Sequence, residues 1–153
     1  MEKNKKEIMI DRIDKPKCIL VDVDGTLAKM KRGPGERSPY DWDRVLEDLP
    51  NQPIIELVNT LCDVYTIIIL TGRDGIALED TKKWLKEYGV YYDEIYIRPE
   101  GNTQKDSIIK HNIYVNHILP HYDVEFVLDD RDQVVNLWRS IGLTCLQVDY
   151  GNF

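Results

Sequence analysis

Cys18-Ile-Leu-Val-Asp-Val-Asp-Gly-Thr-Leu-Ala28 is a short run of β-type residues that ends in two carboxylates and a glycine. Asp is a poor strand former, so two of them directly behind an apolar run need a reason. On an extended backbone Asp22 and Asp24, two positions apart, project to the same side. Their charges repel unless a cation lies between or beyond them. A strand end followed by a glycine turn is the plainer account, since Asp and Gly are both turn formers. The surrounding chain decides between the two.

Residues 18–23 form the first predicted strand. Residues 28–44 are rich in Gly, Pro and charge (Lys29, Lys31, Arg32, Gly33, Pro34, Gly35, Glu36, Arg37), the composition of a loop or short flap rather than of a core. From Pro53 to Cys62, Ile54, Leu57, Val58 and Leu61 are spaced i, i+3, i+4, i+7, which predicts an amphipathic helix. Val64 to Leu70 is a continuous apolar, β-branched run of the kind buried on both faces of a parallel sheet, and Thr71-Gly-Arg-Asp-Gly75 is expected to break it. A helix is predicted over Ala77–Tyr88, closed by Gly89, then a strand over 94–97 and a turn over 99–104. A third helix is expected from about Lys105 to Leu119, where Pro120 stops it. Strand 124–128 ends in Asp129-Asp130, helix 133–141 is closed by Gly142, and 143–148 is the last strand.

Strands alternating with helices argue for an α/β fold: a Rossmann-like three-layer sandwich with a central five-stranded parallel sheet. A small flap follows strand one, and there is no room for a large cap domain. Residues 1–16 read as an N-terminal tail or edge segment, and 17–153 as the single domain. The 153 residues can bury a full core, and 42% hydrophobic with 31% charged is ordinary globular composition. No apolar run approaches the roughly 20 residues of a membrane-spanning helix. The charged N-terminus lacks the apolar stretch of a signal peptide. Cys18, Cys62 and Cys145 are far apart and sit in apolar runs, so reduced thiols in a cytoplasmic protein are expected. A net charge of −7 argues against broad coating of nucleic acid but allows a local basic patch. Neither a G-x-x-x-x-G-K-[ST] phosphate loop nor a G-x-G-x-x-G fingerprint is present, so nucleotide folds of those kinds are not indicated.

In open parallel sheets ligands bind beyond the carboxyl ends of the strands. Here those ends carry Asp22-Val-Asp-Gly-Thr26, Thr71-Gly-Arg73 and Asp129-Asp-Arg131, and the third helix starts at Lys105. Four carboxylates gathered there would repel one another, and a divalent cation removes the problem. Oxygen ligands select a hard ion such as Mg²⁺, which prefers phosphate as its other partner. Asp can attack phosphorus, and a second carboxylic acid can protonate the leaving oxygen and then deprotonate water. His117 and His121 flank Pro120, which spoils a helical His-x-x-x-His face, so they are not read as metal ligands. Trp42, Trp84 and Trp138 are the packing type, with Trp42 beside the flap the one suited to stacking on a base.

Asp22-Val-Asp-Gly-Thr, Thr71-Gly-Arg, Lys105 and Asp129-Asp, in that order, resemble the four motifs of the haloacid dehalogenase-like phosphohydrolase superfamily. Asp at position 24 fits its phosphatases and phosphomutases rather than its dehalogenases. The resemblance extends over roughly residues 17–153 to the 3′-phosphatase domain of phage polynucleotide kinase-phosphatase, through Asp22–Met30, Lys105-Asp106, His117–Asp123, Asp129-Asp-Arg, Gln133-Val-Val and Trp138–Gly142.

That resemblance implies hydrolysis of 3′-terminal phosphates on nucleic acid or nucleotides, without 5′-kinase activity in this chain. It implies Asp22 as nucleophile and Asp24 as general acid and base. Thr71, Gly72 and Lys105 would hold the phosphoryl group. Asp22, Asp24 (through its carbonyl), Asp129 and Asp130 would hold Mg²⁺. Arg37 and Arg73 would position substrate. The flap around Lys31–Glu36 is a few residues longer than the family pattern, which leaves Arg32 as the alternative to Arg37. Two other readings stay open: a phosphatase of small soluble esters such as nucleoside or sugar phosphates, and a non-catalytic module that binds phosphorylated ends. Partners would be a nucleic-acid end and a separate kinase or ligase.

Overall fold

The computed structural model describes residues 15–153, so the tail or edge segment expected over 1–16 lies outside the described residues apart from Lys15 and Pro16. The first strand, β1 (Lys17–Val21), is the middle of a five-stranded sheet. It is joined by β4 (Thr66–Asp74), β5 (Glu94–Arg98), β6 (Asp123–Asp129) and β7 (Cys145–Gln147). The strand order is β5-β4-β1-β6-β7, and every pairing is parallel.

Strand alternation divides the core into two layers. Ile19 and Val21 of β1 and Ile67 and Ile69 of β4 pack against Ile55 and Val58 of α1 (Gln52–Leu61) and Trp84 and Leu85 of α2 (Leu78–Glu87). Cys18, Leu20, Ile68 and Leu70 face the other way, toward α3 (Asp106–Ile113), the π-helical turn Tyr114–Ile118 that extends it, and Val134, Val135 and Trp138 of α4 (Asp132–Ser140). Each of these buried aliphatic side chains contributes about 1.5–3 kcal/mol by leaving water. A strand covered on both faces must be apolar at every position, which is why β1 and β4 read as continuous runs. Cys18 and Cys145 are buried free thiols, and Cys62 is half-buried. Among the described residues no helix is long and apolar enough to cross a membrane.

Three local features differ from the sequence reading. Thr71-Gly72-Arg73 does not break its strand: β4 runs on to Asp74, with an irregular register between Thr71 and Asp74. Arg98 of β5 holds it there by donating from Nε to the Gly72 carbonyl at 2.8 Å. Residues 28–44 are not simply a loop. Ala28–Lys29 (β2) pairs antiparallel with Leu49–Pro50 (β3), forming the stem of the flap, and a 3₁₀ helix (Trp42–Glu47) lies within it. Lys105 stands outside α3, in extended conformation at its N-cap.

Chain order reverses about β1: β4 and β5 lie to one side, β6 and β7 to the other. The crevice that such a reversal opens at the carboxyl ends of the strands is where side chains can converge without disturbing the core.

Candidate active site

Asp22 follows Val21 directly and continues the side-chain alternation of Cys18 and Leu20, so it points toward α3. There it meets Lys110. The Lys110 ammonium lies 2.9 Å from Asp22 Oδ1, 2.8 Å from Asp129 Oδ2 and 3.8 Å from Asp106 Oδ2, and the residue is 1% exposed. Asp129 and Asp130 arrive from the end of β6. The backbone amides of Asp130 and Arg131 donate to Asp129 Oδ1 at 2.9 and 3.3 Å and fix its rotamer. Thr26 Oγ1 donates to Asp22 Oδ2 at 3.2 Å. Ligand oxygens of Asp22, Asp129 and Asp130 all lie within 4.8 Å of one another, and all three residues are buried. Gly25, at φ 79°, makes room for this: a Cβ there would overlap the Asp130 carboxylate.

Three carboxylates and one ammonium leave this cluster two negative charges in excess when all are ionised. Burial, then the charge of Asp129, pushes the Asp22 pKa well above the usual carboxylate range, against the pull of Lys110. Burial and Asp129 raise Asp130 in the same way, to about 6. Burial opposes the charged form of Lys110, but Asp129, Asp22 and Asp106 outweigh it and raise its pKa well above 10.5. A buried, all-oxygen donor set with surplus negative charge fits a hard divalent cation.

Asp24 has different company. The amides of Thr26, Leu27 and Ala28 all donate to the Val23 carbonyl, at 3.1, 3.0 and 2.9 Å, in a tight turn that includes Asp24. Asp24 stands outside the set of oxygens shared by Asp22, Asp129 and Asp130. Arg73 grips Asp24 with both arms of its fork, Nε to Oδ2 at 2.9 Å and Nη2 to Oδ1 at 2.8 Å. Arg37 Nη2 stands 3.6 Å from Asp24 Oδ1. Behind both guanidiniums lies Asp48, which is buried and accepts from Arg37 Nε and Nη2 and from Arg73 Nη2, each at 2.8 Å. Thr81 accepts from Arg73 Nη1 at 3.0 Å. Burial alone would raise the Asp24 pKa, but the charge and hydrogen bonds of Arg73, helped by Arg37, hold it below the usual carboxylate range. The Asp24 side chain remains 43% exposed, open to an incoming group.

The structure therefore brings Asp22, Asp129 and Asp130 together, and sets Asp24 with Arg37 and Arg73 beside them. Arg37 is buried at this cluster, whereas Arg32 lies exposed on the flap. Buried Thr71 accepts the Arg73 amide at 3.2 Å, and Gly72 lies so close to Asp106 that a Cβ would overlap its carboxylate. Lys105 requires correction. It is exposed at the α3 N-cap, and the lysine at the carboxylates is Lys110. The cause is geometric: Lys105 precedes the helix, while Lys110 lies one turn in, on the stripe of Asp106, Ile109 and Ile113 that faces the sheet. A lysine on an apolar stripe was the available signal. Asp106, tied to Lys110 at 3.8 Å, Arg98 at 3.5 Å and Arg131 at 3.8 Å, and Asp48, in an ordinary turn sequence, had no comparable signal.

Comparison with known proteins adds the family. Residues 16–153 match the family described as polynucleotide kinase PNKP phosphatase domain, of the haloacid dehalogenase-like type. A protein of Autographa californica nuclear polyhedrosis virus described as a bifunctional polynucleotide kinase/RNA ligase is 34% identical over 130 residues, which is 82% of this chain and 18% of that protein. Among solved structures, a chain of a Pnkp1/Rnl/Hen1 complex superimposes with a TM-score of 0.85 at 37% identity, covering 92% of this chain and 48% of its own length. A chain of the Pnkp1/Rnl/Hen1 RNA repair complex does so with a TM-score of 0.85 at 34% identity, covering all of this chain and 46% of its own. This chain thus spans less than half the length of each.

Proposed function

We propose, on the premise that this chain belongs to the phosphatase-domain family of polynucleotide kinase-phosphatase, that it is a Mg²⁺-dependent phosphomonoesterase that removes 3′-terminal phosphates from nucleic-acid ends. That it is a phosphatase follows from the family. The substrate, the metal and the role of each residue are our reading, with residues 17–153 as the catalytic domain. One observation carries it: two aspartates two residues apart stand in separate surroundings, one rich in acid and one rich in arginine.

In this reading an Asp22 oxygen attacks phosphorus. The bond to the 3′ oxygen breaks, and that oxygen takes a proton from Asp24, giving an aspartyl-phosphate and a free 3′-hydroxyl. Asp24 then takes a proton from water, the water oxygen attacks the same phosphorus, and inorganic phosphate leaves with Asp22 restored. Lys110 holds Asp22 and Asp129 in place while its charge faces the phosphoryl oxygens. Thr71 and Gly72 present a hydroxyl and backbone at the same strand end. Asp22, Asp129 and Asp130 would hold Mg²⁺, with the Asp24 carbonyl as a further oxygen, since the Asp24 side chain is committed to arginine. Bound there, the ion would offset the charge of the triad and of the phosphate. Arg37 and Arg73 hold Asp24 and offer their forks to phosphate.

A kinase or ligase, whether in the same polypeptide or separate, is the partner this activity calls for, because a 3′-hydroxyl is what joining of ends requires. Free cysteines fit work in the reducing cytoplasm. The test is phosphate release from 3′- and 5′-phosphorylated oligonucleotides and from a 3′-mononucleotide, with Mg²⁺ and with chelator. Release confined to 3′ ends and to Mg²⁺ is expected, together with loss of turnover in Asp22→Asn at unchanged folding. Preference for small esters over oligonucleotides would overturn the substrate, and wild-type turnover by Asp22→Asn would overturn the nucleophile.

A further inference from the structure

Tyr40 is a large aromatic side chain 80% exposed to solvent, on a flap that begins four residues after Asp24. Covering an exposed aromatic ring takes its large apolar surface out of water, so such a ring gains from a flat partner. The ring is also firmly presented. The Ser38 amide donates to Asp41 Oδ2 at 2.9 Å, the Asp41 amide to the Ser38 carbonyl at 3.0 Å, and the Tyr40 amide to Ser38 Oγ at 3.3 Å. Trp42, half-buried, meets the Tyr40 ring edge to face at a centroid distance of 6.4 Å and an interplanar angle of 89°. Only one face of the tyrosine has such backing, so the rest is open to stack.

The turn is wired to the reaction site. Arg37 Nη1 donates to the Ser38 carbonyl at 3.1 Å, while the same guanidinium lies on Asp48 and within 3.6 Å of Asp24. Three residues span at most about 11 Å, so Tyr40 lies within one side-chain length and one short chain segment of Asp24. The flap carries exposed Lys29, Lys31 and Arg32 alongside exposed Glu36, Asp43 and Glu47, so its charge is mixed and the ring of Tyr40, rather than net charge, is what distinguishes it. A phosphate seated at Asp22 belongs to a nucleoside whose base has to lie outside the crevice, and Tyr40 is two residues from the Ser38 carbonyl that Arg37 holds.

We infer that Tyr40, backed by Trp42, is a stacking platform for the bases at the 3′ end of a nucleic-acid substrate, and that it sets the preference for oligonucleotides over simple esters. The inference rests on the 3′-phosphatase reading above. Stacking recognises a base face and not its edge, so the platform accepts any sequence.

The decisive substrates are a 3′-phosphorylated oligonucleotide and the same strand abasic at its last two nucleosides. Wild type should show a KM about tenfold lower for the intact strand, at similar kcat, in keeping with alanine effects at stacked bases. Tyr40→Ala should raise the KM of the intact strand to that of the abasic one and leave the abasic one unchanged. Tyr40→Phe should restore the wild-type value. Binding of both strands to Asp22→Asn, read by fluorescence anisotropy, should show the same difference without turnover. Equal KM and equal binding for intact and abasic strands in wild type would overturn the platform while leaving the phosphatase reading intact. Absence of turnover on every 3′-phosphorylated strand would overturn that reading and the platform with it.

Discussion

Asp22 and Asp24 are separated by one valine, yet one sits among acids and the other among arginines. Around Asp22 are two further carboxylates and a single ammonium, all buried, and its proton is held well above the usual range. Around Asp24 are two guanidiniums balanced by Asp24 and Asp48, and its proton is released below that range. The first region holds more negative than positive charge, which a bound cation would offset. The second is neutral as it stands, but its arginine forks are spent on carboxylates rather than on substrate. A phosphate that took over those forks would remove what keeps Asp24 ionised, and so would let it hold the proton that a leaving oxygen needs. A close pair of like residues thus meets opposite surroundings because Lys110, Asp129 and Asp130 gather at one and Arg37, Arg73 and Asp48 at the other.

The largest test of the acid-rich region is its lone cation. Lys110→Met leaves Asp22 and Asp129 buried without their counter-charge, and breaking a buried pair from one side costs about 3–5 kcal/mol. We expect a fall in thermal stability readable by calorimetry and turnover at background. Lys105→Met, on the exposed N-cap, should change stability by less than about 0.5 kcal/mol and leave most of the activity. If the two variants exchanged these behaviours, the placement of Lys110 would be wrong.

Asp48→Asn probes the arginine-rich region. The amide keeps the shape but withdraws the charge that both guanidiniums share, so Arg37 and Arg73 lose their fixed aim. Misplacement of positioning groups by about 1 Å costs on the order of 10²-fold, and we expect kcat/KM to fall by that order. Part of the loss should return at high substrate concentration. A wild-type kcat/KM would mean that the arginines are held without Asp48.

How much of this was legible follows from what each residue contributes locally. The parallel strands and the helices on both faces are legible in the apolar runs of β1 and β4, because a doubly covered strand must be apolar throughout; the strand order is not. Asp22, Asp129 and Asp130 stood out because acids at the end of such runs conflict with strand propensity. Asp48 conflicts with nothing locally; its role arises only when the flap stem pairs Ala28–Lys29 with Leu49–Pro50 and folds it onto Arg37 and Arg73. The helix start at Lys105 draws the lysine of the motif pattern to that residue, whereas the lysine beside the carboxylates is Lys110, because only a position inside the helix can face the sheet. The separate company of Asp22 and Asp24 comes from residues distant in sequence, Lys110, Asp129 and Asp130 on one side and Arg37 and Arg73 on the other, and strand periodicity carries no information about them.

Opposite surroundings also require opposite responses to pH. Asp130, raised from 3.8 to about 6, binds more protons folded than unfolded between those values, so in chelator its contribution to stability falls as pH rises through that window. Asp22 acts in the same sense. Asp24, with its pKa lowered, contributes stability above 3.8 that is lost as pH falls through its folded value. In chelator, Asp130→Asn should flatten the decline in melting temperature between about pH 4 and 6. Asp24→Asn should lower the melting temperature above about pH 4 and remove its share of the fall at the acid end. Mg²⁺ should raise the melting temperature more at pH 7 than at pH 5, because at pH 5 protons already occupy the carboxylates it would bind. An equal Mg²⁺ effect at both pH values would detach the metal from the triad.

The smallest expected effect comes from a residue that touches no substrate. Gly151 lies against the loop carrying Asp129 and Asp130: a Cβ there would overlap the Asp130 carbonyl and crowd Arg131 Cα. Its own carbonyl accepts the Asp132 amide at 2.8 Å, and Arg131 donates from Nε to the Phe153 carbonyl at 2.9 Å with its guanidinium 5.3 Å from the Phe153 ring centroid. These contacts hold the backbone at Asp130 and Arg131, whereas the Asp24 carboxylate is held by the side chains of Arg73 and Arg37. Gly151→Ala must displace that loop by the width of a methyl group. The oxygens of Asp130 should then sit less well for a cation, while Asp24 and its arginines stay put. We expect the Mg²⁺ concentration for half-maximal turnover to rise by a few fold, with kcat recovered at saturating Mg²⁺. A lowered kcat at unchanged Mg²⁺ dependence would mean that the segment serves the arginine side instead, and that the two regions are less independent than their electrostatics imply.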